Sequence, residues 1–194
     1  TANLPIRCGM TCTGTVTTTM RFICSSVTSS GGQDEIGGFP FSAQGAVTAG
    51  NGARTHILSL RPNTTFNSIT NRMKFVLESI DVLVTGASPV LWELCIGQAI
   101  SGTTTFTDVN ATYSGFEYNT AGTISGSPAM VLHAGYVPAT ATANASASYV
   151  TNNRIPITLD VAGAVRALGT LSVIVTGLGA ASACQVTLNW KEIR

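Results

Sequence analysis

Two stretches of the chain alternate apolar and polar residues with a period of two. Val90, Trp92, Leu94 and Ile96 alternate with Leu91, Glu93, Cys95 and Gly97; Cys184, Val186, Leu188 and Trp190 alternate with Gln185, Thr187, Asn189 and Lys191. That period puts each set on one face of a strand. Trp92, Leu94, Leu188 and Trp190 are therefore expected to be buried together on facing strands. Leu171 to Thr176 is apolar on both faces, as a central or sandwiched strand would be. Arg72 to Val84 is long, and its apolar phase changes near Ser79, which predicts a bulge or a strand that switches sheets.

Val16 to Ser25, His56 to Leu60, Ala129 to Ala134 and Ile155 to Leu159 are further strand candidates, for about eight to ten in all. The turn-rich segments SSGG, GNG, RPN, GASP, SGTT and AGTISGSP separate them. Only Val161 to Leu168, with Asp160 as N-cap, predicts a helix, and Gly163 weakens it. Irregular, sometimes long connections fit an all-β fold, an antiparallel β-sandwich of jelly-roll type, better than an up-and-down barrel. Residues 1–45 read as an N-terminal arm or hairpin and 46–194 as the sandwich domain, compact from about Ala53.

Composition changes this picture in one respect. Of 194 residues, 44% are hydrophobic but only 10% are charged, against about 25% charged in a typical domain. Disorder throughout is excluded by the ample apolar side chain. No run reaches the roughly 18 apolar residues needed to cross a bilayer, so no membrane insertion is expected. The net charge of +1 comes without a basic stripe, which argues against nucleic acid as a partner. The first residue is Thr1, not Met, which reads as a trimmed or processed start, or as part of something longer.

Charge is also unevenly placed. From Tyr118 to Asn153 there is no Lys, Arg, Asp or Glu. A monomer with so neutral a surface risks association. Coverage by identical subunits accounts for the composition, since obligate interfaces are more apolar than ordinary surface. Residues 137–153 are then expected to form an inter-subunit strap, or a loop near a threefold axis, anchored by Tyr149 and Val150. An exposed flexible loop has the same small polar composition.

Candidate chemistry is sparse. Cys8, Cys12 and Cys24 have a spacing that matches no common zinc pattern, and neither His56 nor His133 is near them in sequence. A disulfide between two of these three stays open. Cys95 and Cys184 are expected at inward strand positions, as inert apolar thiols. No metal, cofactor or catalytic residue is expected. Ser127, in GSP, lacks the second glycine of a nucleophile elbow, and a lone His on a strand is more often structural. Asp108 and Glu117 bracket DVNATYSGFE, a loop that also carries Tyr113 and Phe116, with Tyr118 just beyond. Two carboxylates beside aromatic rings could serve a sugar, so Tyr113, Phe116 and Tyr118 form a candidate carbohydrate-binding surface. The plainer reading is a surface loop with one aromatic plug. The sequons at Asn63, Asn110 and Asn144 matter only in a eukaryotic secretory pathway, and a chain rich in Asn and Thr produces such matches by chance.

The blocks NSITNRMKFVLESIDVLVTG, PVLWELCIGQAI, NRIPITLDVAG and CQVTLNWKEIR resemble the C-terminal domains of structural proteins from tailed bacteriophages. The likeness covers roughly residues 53–194 and rests on neutral, Thr/Gly-rich strands ending in an aromatic one. It implies a non-enzymatic virion protein: a homo-oligomer, trimeric in that family, serving as a tail fibre or receptor-binding tip or as a capsid decoration. Its implied partners are identical subunits, other virion proteins and host surface polysaccharide. A carbohydrate-binding module and a polysaccharide hydrolase are the competing readings. Activity on capsule or lipopolysaccharide would single out the hydrolase.

Overall fold

A computed structural model describes residues 38–103, 105–139, 145–166 and 168–193. The described residues contain no helix. Their strands are, in order, β1 (Phe39–Ala49), β2 (Thr55–Pro62), β3 (Thr65–Phe66), β4 (Ile69–Thr70), β5 (Lys74–Val84), β6 (Val90–Ile96) and β7 (Ile100–Gly102). They continue as β8 (Thr107–Asp108), β9 (Phe116–Asn119), β10 (Gly122–Ile124), β11 (Met130–Val137), β12 (Ala145–Arg154), β13 (Leu171–Gly177) and β14 (Ser182–Ile193).

The eight long strands form two antiparallel sheets. One has the order β1-β14-β5-β12; the other has β11-β6-β13-β2, extended by β9 and β8. Among these eight, the first pairs with the last (β1 with β14), the second with the seventh (β2 with β13), the third with the sixth (β5 with β12) and the fourth with the fifth (β6 with β11). This is one long antiparallel ribbon, rolled so that successive pairs fall in alternate sheets. Pairing of β14 with β5 and of β13 with β6 closes the roll. The fold is an antiparallel β-sandwich with jelly-roll connectivity.

The core follows the period-two pattern. Trp92, Leu94, Leu188 and Trp190 are all buried in one cluster between the sheets. Trp190 stacks on Phe75 with ring centroids 5.8 Å apart, and Phe75 in turn packs against Phe116 at 5.5 Å. The phase change near Ser79 is a bulge. Phe75 and Leu77 are buried before it and Ile80, Val82 and Val84 after it. The register on β14 slips between Asn189 and Trp190, opposite Ser79 and Leu77, so Glu78 is the extra residue. The strand stays in one sheet.

Three expectations need correction. The sandwich starts at Phe39, not at residue 46, because β1 pairs with β14 along its whole length. Its inward phase is Phe41, Ala43, Gly45, Val47 and Ala49, and Gly45 is required because a Cβ there would collide with the carbonyl oxygen of Ile57. Pro40 is tolerated because β1 is an edge strand. Ile155, Ile157 and Leu159 are buried as their alternation implies, but they form no ladder: Pro156 lacks the donor a ladder needs. Val161 to Arg166 is not helical. Asp160 accepts the Ala164 N–H at 2.9 Å and closes a tight turn, in which Gly163 has φ +84°. The strand expected at Val16 to Ser25 and the arm up to residue 37 lie outside the described residues.

Candidate functional site

The long connection from β6 to β11 carries β7 to β10. Strand β10 lies against β2, and buried polar groups gather on this side of the sheet. His56 Nε2 is 2.7 Å from Ser59 Oγ, and Ser59 Oγ is 2.6 Å from Ser172 Oγ. A His beside a Ser has the form of a catalytic dyad, but all three residues are at most 3% exposed. They act as a hydrogen-bonded strut between β2 and β13. Burial holds the His56 pKa below its usual value, opposed in part by the Gly122 backbone. A base with a lowered folded pKa is protonated more readily when unfolded. Its contribution to stability is thus complete above the unfolded value of about 6.5 and is lost as pH falls below it. Urea unfolding at pH 7.5 and pH 5.0 should show an acid loss that shrinks in His56→Gln. Equal losses in the two proteins would refute the assignment.

The aromatic loop expected to bind sugar is taken apart by the fold. Tyr113 is 60% exposed, whereas Phe116 is fully buried against Phe75. Tyr118 is half-buried and packed against the core. One exposed ring remains, and it forms no platform. Asp108 and Glu117 do come together, as cross-strand partners on β8 and β9. With Asn63 and Asn67 they line a polar cleft of about 560 Å³. Each carboxylate is engaged within the chain. Arg61 pairs with Glu117 and lies 3.8 Å over the Phe106 ring, and Asn63 donates to Asp108 at 3.0 Å. These contacts tie β8 and β9 to the end of β2.

Glu192 has a role that no motif announced. It is completely buried and accepts hydrogen bonds from Ser114 Oγ (2.6 Å), the Gly115 N–H (2.9 Å) and Trp190 Nε1 (3.1 Å). Its position two residues after Trp190 puts it on the same inward face, the one available sequence signal. It clamps the loop before β9 to the end of the last strand.

Cys184 lies in the core as expected, but Cys95 does not. Cys95 is fully buried on the opposite face of β6, where Arg54 Nη2 approaches its sulfur to 3.4 Å. Burial, aided by Glu93, pushes the Cys95 thiol up to about 11. At pH 8 it should alkylate about 100-fold more slowly than an exposed thiol. Peptide mapping after iodoacetamide treatment checks this. Native-state labelling of Cys95 at the rate seen in denaturant would contradict it.

The later part of the charge-free run lies along one side of the sandwich, while its first part, the end of β9 and β10, lies beside β2. Strand β11 edges one sheet and β12 edges the other, and both lie within Tyr118 to Asn153 except for Arg154, the last residue of β12. Met130, Val131, Tyr136 and Val150 are large apolar residues left exposed there, Tyr136 at 70% and Val150 at 79%. The anchor expected at Tyr149 and Val150 divides. Val150 points outward, but Tyr149 turns inward, its hydroxyl 3.0 Å from His133 Nε2 and its ring 6.2 Å from Trp92. Tyr149 bridges the two sheets of its own chain. Ala145 is buried and Ala147 packs on the core, so a charge at either would enter the subunit's interior rather than probe its surface. The expected strap is in its second half an edge strand, paired with β5 from Ala145 onward; residues 140–144 lie outside the described residues.

Charges next to this side are engaged within the chain. Arg54 pairs with Glu93 at 2.8 Å, and Asp81 accepts hydrogen bonds from Ser79, Ser148 and Asn189. Both edges carry register shifts, between Val131 and His133 on β11 and between Val150 and Asn153 on β12. No protein-family model matches the chain, and no curated protein matches it.

Proposed function

We propose that this chain is a non-enzymatic structural protein of a virus particle, built to assemble with identical copies at the virion surface. The observation that carries the reading is the pairing of jelly-roll connectivity with a charge-free side that leaves four large apolar residues exposed. Jelly rolls serve chiefly as viral capsid domains, lectins and cupins. A lectin needs a ring platform, and the candidate aromatic loop offers Tyr113 alone. A cupin needs a cluster of metal ligands, and among the described residues no three His, Cys, Asp or Glu side chains come together. The capsid association favours a place on the head, as decoration or shell, over a tail tip; the bacteriophage origin rests on the sequence resemblance alone.

Sedimentation, light scattering and negative-stain microscopy of the purified chain test the proposal. The expected result is a trimer or larger closed assembly at micromolar concentration. A monomer at every concentration overturns it, as does release of reducing ends from host polysaccharide.

A further inference from the structure

We infer that the side of the sandwich edged by β11 and β12 is where one copy of this chain meets another, through Met130, Val131, Tyr136 and Val150. This rests on the self-assembling function proposed above and specifies the surface that does the assembling. Self-association is singled out by charge. In a closed symmetric oligomer, the same residue from each copy converges near the axis, so a charged residue there meets its own like charge. At low dielectric such encounters are costly. A side that joins copies about an axis is therefore best free of charge, and this one is charge-free through β11 and through β12 as far as Asn153. Of the charges on neighbouring strands, Glu93 and Asp81 are already engaged by Arg54 and by Ser148 and Asn189, and Arg154 stands at the far end of β12. A nucleic acid or an acidic glycan would find a single cation here, Arg154 at the end of β12.

The mode of contact follows from the strand edges. An unprotected edge invites another strand to extend the sheet, and bulges oppose that by twisting the edge away. Both edges are bulged. The copies therefore join by side-chain packing rather than by a shared sheet. Gly135, opposite Trp92, leaves no room for a side chain, since a Cβ there would lie 2.7 Å from Trp92 Nε1. Gly135 thus faces the core, and the outer face of β11 presents Tyr136 at one end and Met130 and Val131 at the other, with Ala134 between them.

The test compares three purified proteins by sedimentation velocity over a concentration series. One is wild type, one carries Val131→Glu with Tyr136→Glu, and one carries Val161→Glu, which adds charge at an exposed aliphatic residue (94%) outside the charge-free run. The expected result is an assembled wild type, an edge variant that associates at least about 100-fold more weakly, and a control that assembles like wild type. Assembly of the edge variant at wild-type strength overturns the inference while leaving the proposed function standing. A wild type that is monomeric throughout overturns both. Equal weakening in the Val161→Glu control also overturns the inference, because added charge would then act without regard to place. Retardation of a wild-type monomer on a neutral-polysaccharide matrix, abolished in the edge variant, would assign the surface to a glycan instead. Should the edge variant fail to fold, hydrogen exchange of the wild type decides. Amide protection at residues 130–137 and 146–150 must rise with assembly, and unchanged protection overturns the inference.

Discussion

Trp190→Ala is expected to destabilise the protein by about 3–5 kcal/mol, the range for removing a large buried aromatic side chain. Trp190 is fully buried, with Phe75 stacked on it and Phe41 tilted against it at 6.3 Å. Truncation leaves a cavity lined by rings that belong to β1 and β5, both paired with β14 and fixed by those ladders. The site can collapse only partially. The indole N–H that Glu192 accepts is lost as well. Thermal unfolding should shift down by on the order of 10 °C. A shift within error of zero would show that this aromatic stack is not the centre of the core.

Glu192→Ala should cost about 3 kcal/mol by a different route. Little volume leaves, but Ser114 Oγ, the Gly115 N–H and the Trp190 indole lose their acceptor in a site closed to water. Each buried donor left unsatisfied costs about 1–3 kcal/mol, less whatever local rearrangement recovers. Glu192→Gln, which keeps one acceptor oxygen, should fall between. The local signature is faster hydrogen exchange at Gly115, because Glu192 is what holds that loop. Global destabilisation with Gly115 exchange unchanged would place the role of Glu192 elsewhere.

Both residues lie on a strand whose alternation is plain from the chain, yet only one was legible as important. Trp190 follows from period two and size, which are local properties. Glu192 has the same phase, but a carboxylate at an inward position near a chain end ordinarily reads as a turn outward into solvent. What makes it buried is Ser114, 78 residues away. The aromatic loop failed in the opposite direction. Tyr113, Phe116 and Tyr118 are close in sequence and read as one surface, but β9 extends the sheet beside β2 and takes Phe116 into the core. The start of the domain was hidden for another reason: between Phe41 and Ala49 the inward phase of β1 runs Ala43, Gly45 and Val47, and its small members give little hydrophobic contrast.

The sequence by itself determined the all-β class, the phases of β6 and β14, the change of phase in β5 and the charge-free run, because each depends on neighbours within a few residues. It also determined that Trp92, Leu94, Leu188 and Trp190 are buried, since a strand with one apolar face has to cover it. Only the tertiary structure decided the pairing order of the jelly roll, the burial of His56 and Cys95 on the far face of their sheet, the inward turn of Tyr149 and the placing of the neutral strands β11 and β12 on one side. These depend on which strands become neighbours across tens of residues. Loop closure makes many such pairings nearly equal in entropy, and the choice among them falls to packing of the whole core.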